Sequence, residues 1–559
     1  MRTISLNAIP KPRFIPLLQI RLNQLLSTLL RALRGKSVFF VLILLLGLSL
    51  RAATPTTRPN FLFISTEDIC PDLHCYGDAY ATTPNLDRFA SQGIRFERAF
   101  STAPVCSPSR ASIITGMYAA SIGAQYHRSD IIPAPDVRCF TEYLRQAGYY
   151  CTNNAKTDYN FPAPASAWNV NGKQAHWRNR PDKSQPFFAV FNIETTHEAP
   201  VMNLNGRFTH LLDSLPNKHD PALANIPSYY PDTPKVRANW ARYNDCITLM
   251  DQQFQALLDQ LDADGLTDNT VVCFWGDHGR CLPRGKRWDY DSGLHVPLLI
   301  RWPAGFPAGQ VRPELVTLMD LGPTLLSLAG LDVPPQMQGR IILGPHTQPE
   351  PQYVFATRDR EDETVDMQRT ARDRQYRYIK NFHPELPYSQ HNKYGDHNPI
   401  MQEWYRLDAA HELKGPDALF FAPTKPAEEL YDESTDTDEI HNLAADPAQQ
   451  ERLVTMRTAL ENWMNQIHDK SLIPEDQMLA QMWPADHKRP VTSPVVFTTN
   501  GNTVTLSCPT PGSSILYTTD ASHPTWHLYN PQSSLPPSPN LRAKACRIGF
   551  GDSEESKPN

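Results

Sequence analysis

Three short runs, apolar almost without interruption, constrain what this chain can fold into: Phe61-Leu62-Phe63-Ile64, Pro186-Phe187-Phe188-Ala189-Val190-Phe191 and Val271-Val272-Cys273-Phe274-Trp275. A strand with apolar side chains at successive positions is buried on both faces, so its sheet needs a covering layer on each side. Between the second and third runs, Ile247, Met250, Phe254, Leu257 and Leu261 recur at three- and four-residue spacing, the stripe of an amphipathic helix. Strands alternating with helices predict an α/β fold with a mostly parallel central sheet flanked by helices. In such folds ligands gather beyond the carboxyl ends of the strands. Polar residues stand at those ends: Glu67 and Asp68 after the first run, His197 after the second, Asp277 and His278 after the third.

Composition narrows the function classes. Of 559 residues, 40% are hydrophobic and 20% charged, which excludes wholesale disorder and a polytopic membrane protein. The net charge of −6 argues against nucleic acid as a partner. That total conceals an asymmetry: the first 51 residues carry eight Arg or Lys and no acid, leaving 45 basic residues against 59 acidic in the remainder. Lys36-Ser37, the apolar run Val38–Leu50 and Arg51-Ala52-Ala53 predict a signal peptide over 1–53, too short in its apolar part for a stable membrane span. Export to the periplasm or medium follows. The expected organisation is a catalytic domain over 54–331, a smaller α+β subdomain over 332–470 and a connector over 471–493. A small terminal β-sandwich over 494–559 completes it, drawn from Pro494–Phe497, Thr503–Leu506 and Ser514–Tyr517. The ten cysteines are too scattered for a disulfide framework, although Cys508 and Cys546 share the terminal module and could pair.

The sharpest motif is Cys106-Ser107-Pro108-Ser109-Arg110 followed by Thr115-Gly116. It resembles the sulfatase signature C-x-P-S-R-x-x-x-x-T-G, read by the enzyme that oxidises the cysteine to formylglycine. Further segments agree in order: Arg58-Pro59-Asn60 with Glu67-Asp68, Gly276-Asp277-His278-Gly279, Gly285-Lys286 with Tyr290-Asp291-Ser292-Gly293 and Val296-Pro297, and Leu430-Tyr431-Asp432 with Asn442-Leu443-Ala444. The chain therefore resembles the type I formylglycine-dependent sulfatases of the alkaline-phosphatase-like superfamily over about Arg58 to Ala444. It is similar to bacterial proteins grouped with heparan N-sulfatases. The tail, with Gly512–Asp520 and Leu541–Ala545, resembles the chitobiase-like C-terminal β-sandwich.

The resemblance implies a set of roles. Glu67, Asp68, Asp277, His278 and the modified Cys106 would hold a divalent cation, Ca2+ or alternatively Mg2+ or Mn2+, that polarises the sulfate oxygens. Glu67 replaces the family's commoner aspartate and His278 its common asparagine; an imidazole ligand is less typical of calcium, which keeps the two alternative metals open. Arg110, Lys156 and Lys286 would face the sulfate or the formylglycine. One hydroxyl of the hydrated formylglycine, assisted by the metal and Asp277, would attack sulfur, while His197 protonates the leaving oxygen. The family's histidine two residues beyond the first lysine is absent, since Asp158 occupies that place. Either Asp158 acts on the substrate or His127, in a neighbouring loop, substitutes. His295, near the lysine loop, is a third candidate for substrate contact.

The implied partners are a sulfated glycan and a formylglycine-generating maturation enzyme. The segment containing His383, Tyr388, His391, Tyr394, His397 and Trp404 could line a sugar cleft, because aromatic faces pack on pyranose rings, or could be ordinary subdomain surface. Two alternatives stay open: a phosphodiesterase or phosphonate hydrolase of the same superfamily, and a catalytically silent glycan-binding protein.

Overall fold

In the computed structural model, residues 58–206, 208–522 and 525–558 are described, so the expected signal peptide lies outside the described residues. The three apolar runs fall in β1 (Asn60–Thr66), β5 (Phe187–Ile193) and β6 (Thr270–Gly276), side by side at the centre of an eight-stranded sheet. The others are β2 (Ile94–Phe100), β3 (Tyr150–Asn154), β4 (Val170–Asn171), β7 (His295–Arg301) and β8 (Gln310–Thr317), in the order β4-β3-β5-β1-β6-β7-β2-β8. β7 alone runs against its neighbours β6 and β2; the remaining pairings are parallel. The sheet is mixed but mostly parallel, as the apolar runs predict.

Strand alternation divides the core into two layers. Phe61, Phe63, Cys273 and Trp275 point to one face, where they join Ala111, Ile114 and Leu325; Leu62, Ile64, Val272 and Phe274 point to the other. The helix Pro234–Ala263 covers this second face with Met250, Phe254, Leu258 and Leu261. Thr233 Oγ1 caps its start by accepting from the Val236 amide at 3.3 Å. Because β1, β5 and β6 are parallel, their polar successors emerge at one edge.

The C-terminal subdomain is an antiparallel sheet of β9 (Val354–Arg358), β10 (Gln368–Arg372), β11 (Tyr376–Asn381) and β12 (Glu428–Asp432). The helix Gln450–Gln466 packs Leu453, Met456, Leu460 and Trp463 against Ala371, Tyr378 and Leu430. Residues 471–493, expected as a connector, are fastened to both the C-terminal subdomain and the catalytic domain. Glu475 takes two hydrogen bonds from Arg360 at 2.6 and 2.7 Å, Met478 is buried, and Trp483 Nε1 donates to the Asp130 carbonyl at 2.8 Å.

The terminal module joins a two-stranded sheet, β13 (Val496–Asn500) with β14 (Thr503–Ser507), to a three-stranded one of β15 (Ser514–Thr518), β16 (His527–Leu528) and β17 (Arg542–Cys546). Val504, Leu506, Ile515 and Ala543 form their shared core. Cys508 and Cys546 are unpaired thiols whose Sγ atoms lie 3.2 Å from the Ser493 carbonyl and 3.7 Å from the Ser514 carbonyl, so the pairing suggested by sequence is not formed. The module does not swing on a tether. Ser514 Oγ donates to Glu142 at 2.6 Å, Ile548 belongs to the catalytic core, and a Cβ on Gly512 would sit 2.1 Å from the Pro135 carbonyl oxygen.

Gly512 also has φ +75°, so Gly512→Ala combines a clash with left-handed strain and is expected to cost about 2–4 kcal/mol. Gly501→Ala, at φ +57° with open space around it, isolates the strain alone at about 1–2 kcal/mol. Thermal unfolding of both variants tests this. Equal destabilisation would mean that the contact with Pro135 carries no weight.

Candidate active site

Cys106 is the first residue of the helix Cys106–Thr115, every residue of which is buried. Its Sγ therefore lies at the positive end of the helix, 3.3 Å from His278 Nε2 and 3.9 Å from Asp68 Oδ1. Burial pushes the thiol up, but Lys156 and Lys286 outweigh it and bring Cys106 down to about 7. The other motif residues fasten this helix to the sheet edge. Ser109 Oγ donates to the Asp277 carbonyl at 2.6 Å, and Arg110 Nε donates to Asp277 Oδ2 at 3.0 Å. Arg110 Nη1 donates to Asn192 Oδ1 at 2.8 Å, and Ser107 Oγ accepts from the Arg128 amide at 3.0 Å.

Two buried carboxylates stand at the centre. Asp277 Oδ1 accepts from the backbone amides of Asp68 and His278, each at 3.0 Å. Asp68, in the left-handed region at φ 56°, receives Lys286 Nζ at 2.9 and 3.1 Å and the Glu198 amide at 3.2 Å. Burial alone would raise both acids; Lys286, His197 and His278 hold Asp68 well below the usual range, and His278 and Arg110 hold Asp277 at about 2.

Whether these groups suit a cation follows from their donor chemistry. The donor atoms of Asp68, Cys106, Asp277 and His278 all lie within 4.8 Å of one another. His278 Nδ1 donates to the Gly279 carbonyl at 3.1 Å, which directs the Nε2 lone pair of the neutral ring at Asp68 Oδ1, 3.0 Å away. Two acceptors at that separation require positive charge between them, either a proton on His278, which the acids raise to about 10 despite its burial, or a cation. The set fits a divalent ion with oxygen and imidazole ligands.

Glu67 sits outside this set. Its longer arm carries the carboxylate to Lys156 Nζ at 2.7 Å, with Arg110 at 3.5 Å and His197 Nε2 at 3.7 Å. With Asp68 and His197 it forms a second group whose donor atoms all lie within 4.8 Å of one another. His197 Nδ1 accepts from the Ala199 amide at 3.4 Å, which leaves Nε2 as the protonated nitrogen facing the cluster. Asp68, Cys106 and Glu67 raise His197 above its ordinary value against burial and Lys286. Asp158 lies at the rim, 24% exposed and 3.9 Å from Lys156 Nζ.

Other candidates separate from this group. His127 is buried, with Nδ1 3.0 Å from Asp362 Oδ1, and meets the cluster only through intermediates. His295 is a correction: it opens β7 beside Phe100 of β2, stacks on that ring at 5.0 Å and donates Nε2–H to the Glu97 carbonyl at 2.8 Å. That position faces a separate cleft of ≈ 1340 Å³, lined by Tyr76, Tyr229 and Arg372, and not Cys106. Trp404 is fully buried between Tyr230 and Phe420, and Tyr388 packs on Tyr290. His383 and His391 are exposed beside Glu385 and Asp396. Of that segment Tyr394 alone makes a ring contact with a site residue, His197, at 6.5 Å. Sequence reasoning missed Glu198, Arg287, Asp362, Asn192 and Asn392. Glu198 and Arg287 follow singled-out residues directly, which is the one signal that pointed to them.

Comparison with known proteins agrees with this geometry. The family model described as Sulfatase matches residues 59–183 and 176–331, that described as N-sulphoglucosamine sulphohydrolase, C-terminal, matches 276–388, and that described as Chitobiase/beta-hexosaminidase C-terminal domain matches 496–557. An ulvan-active sulfatase of Formosa agariphila is 39% identical over 89% of this chain and 90% of its own length. The human N-sulphoglucosamine sulphohydrolase is 26% identical over 78% of this chain and 95% of its own. The solved structure of BT4656 in complex with its substrate D-glucosamine-2-N,6-O-disulfate shares the fold, with a TM-score of 0.54 at 19% identity over 75% of this chain and 100% of that one. A cysteine motif docked on paired acids, a matching family model and a relative alike along nearly its whole length converge: the chain belongs to the sulfatase family.

Proposed function

We propose that this chain is an exported enzyme hydrolysing sulfate esters or N-sulfate groups of a sulfated carbohydrate, with Cys106 matured to formylglycine and a divalent cation, Ca2+ or alternatively Mg2+ or Mn2+. The observation that carries this is the meeting, in one buried cluster, of Cys106 with Asp68, Asp277, His278 and the cations Arg110, Lys156 and Lys286. When present, formylglycine supplies a nucleophile that ordinary side chains lack, and the cation supplies Lewis-acid polarisation. Asp68, Asp277, His278 and the residue at 106 would hold the ion, with Glu67 at its edge. Lys286, buried, and Lys156, half-buried, are both cationic and bind the anionic sulfate, where a low-dielectric wall strengthens their attraction. Arg110 keeps Asp277 ionised and in place. His197 Nε2–H gives its proton to the leaving oxygen or nitrogen. Asp158 contacts the sugar from the rim as a hydroxyl acceptor.

The carbohydrate substrate is supported by the relatives named for ulvan and for N-sulphoglucosamine, and by the terminal chitobiase-type module. Export is supported by the basic-then-apolar N-terminus, and among the described residues no helix is long and apolar enough to cross a membrane. A maturation enzyme acting on Cys106 is the implied partner.

Protein made in its native host should release sulfate from ulvan oligosaccharides or N-sulfated glucosamine. An aryl phosphonate should be turned over more slowly, by a factor of about 10² or more, because the site is tuned to one anion geometry. Faster phosphonate turnover with no sulfate released from either glycan would transfer the assignment to a phosphonate hydrolase. Glycan binding with neither activity would favour a silent binder.

A further inference from the structure

Four side chains of alternating charge, with a buried histidine beyond them, run from the centre of the site into the C-terminal subdomain. Lys286 Nζ lies between Asp68 Oδ2 at 2.9 Å and Glu198 Oε2 at 3.1 Å. Glu198 receives two hydrogen bonds from Arg287, at 2.7 and 3.2 Å. Arg287 Nη2 continues to Asp362 Oδ2 at 3.1 Å, and Asp362 Oδ1 faces His127 Nδ1 at 3.0 Å. Asn392 Nδ2 also donates to Asp362 at 3.0 Å. The members come from four segments: the loop after the short helix Ala119–Ile122, the residue after His197, the lysine loop, and the connection between β9 and β10.

Burial makes this row interdependent. Side-chain exposure is 2% for Lys286, 3% for Glu198, 7% for Arg287 and 15% for Asp362. A buried charge that loses its partner is costly, so each member is held by the next. Backbone conformation points the same way. Arg287 has φ +80° and Asp362 φ +51°, left-handed positions that such residues hold only where surroundings fix them. Both carry side chains that close the row.

We propose that Glu198, Arg287 and Asp362 are positioning residues through which the C-terminal subdomain sets the place of Lys286 in the active site. Glu198 keeps the Lys286 ammonium from turning wholly onto Asp68, so that it stays available to an incoming sulfate oxygen. Asp362, with Oδ1 3.0 Å from His127 Nδ1, packs against that ring and anchors Arg287 behind Glu198. The inference rests on the sulfatase assignment for its catalytic meaning; the geometry of Lys286 is testable without it.

The test compares Asp362→Asn and Glu198→Gln, both close in shape to the originals, with the unmodified full chain. Each is expected to lower kcat/KM for the best glycan substrate by about 10–100-fold and to weaken inhibition by inorganic sulfate by a similar factor. Lys286 should also become more reactive to acetic anhydride, read by mass spectrometry. If kcat/KM per folded molecule and sulfate inhibition stay within about twofold of the parent, the proposal is overturned, whatever happens to Tm. If the parent releases no sulfate, the sulfatase assignment has failed separately. The acetylation rate of Lys286 then decides: faster modification in both variants sustains the positioning role, and an unchanged rate ends it.

Discussion

Cys106→Ala is expected to reduce sulfate release by about 10⁴-fold or more while leaving the fold intact, the loss typical of removing a covalent nucleophile. The size follows from what the surroundings of this atom are built to do. The 3% exposed side chain sits at a helix start, near Lys156, Lys286, His278 and Asp68. None of these groups can substitute as nucleophile, since the amines are held protonated by the acids and the acids face cations. Replacing one sulfur leaves Ser109 on the Asp277 carbonyl and Arg110 on its carboxylate, so the helix keeps its anchors. Unfolding temperature and glycan binding should therefore change little. Mass spectrometry of the tryptic peptide Ala99–Arg110 from native-host protein supplies the chemical half of the test. An aldehyde at position 106 in the parent is the expected result. An intact thiol in fully active protein would remove formylglycine from the mechanism.

How much of this was legible beforehand depended on whether a signal was local. The strands β1, β5 and β6 declared themselves because burial on both faces demands apolar residues at every position. The motif around Cys106 was legible because each fixed residue has a separate local task, now visible as Ser109 and Arg110 gripping Asp277. What sequence could not supply was the direction of single side chains. His295 lies two residues beyond Gly293 in the lysine loop, but it pairs with Phe100 across the sheet and turns to another cleft. Glu67 has the expected charge, and one added methylene carries it to Lys156. Trp404 reads as a sugar platform only until Tyr230 and Phe420 are seen to enclose it. Asp362 lies far along the chain from His127 and Arg287, and only the folded subdomain brings them together. Residues 471–493 look like a linker by composition; their docking rests on a few specific contacts, Glu475 with Arg360 and Trp483 with Asp130, that carry no periodic signature.

Asp277→Asn should be nearly as damaging as loss of Cys106, with activity falling by about 10³-fold or more, and for a reason separable from it by metal content. Asp277 is fully buried and uses both oxygens: Oδ1 accepts the amides of Asp68 and His278, and Oδ2 accepts from Arg110 Nε. Asparagine can keep the first pair with its carbonyl, but then its NH2 group faces the Arg110 guanidinium, donor against donor. Arg110 loses its closest counter-charge in a buried site and retains Asn192 and the more distant Glu67. Breaking a buried pair in this way costs about 3–5 kcal/mol, and the cation loses an anionic ligand at the same time. The parent should contain a divalent ion, and a chelator should lower both its Tm and its activity, because a ligand bound only by the folded state stabilises it. In Asp277→Asn the metal content should fall and the chelator should no longer shift Tm, whereas Cys106→Ala should keep most of its metal through Asp68, Asp277 and His278. If Asp277→Asn retained the parent's metal content and activity within about tenfold, the carboxylate would be an anchor for Arg110 alone and the ion would have to be held elsewhere.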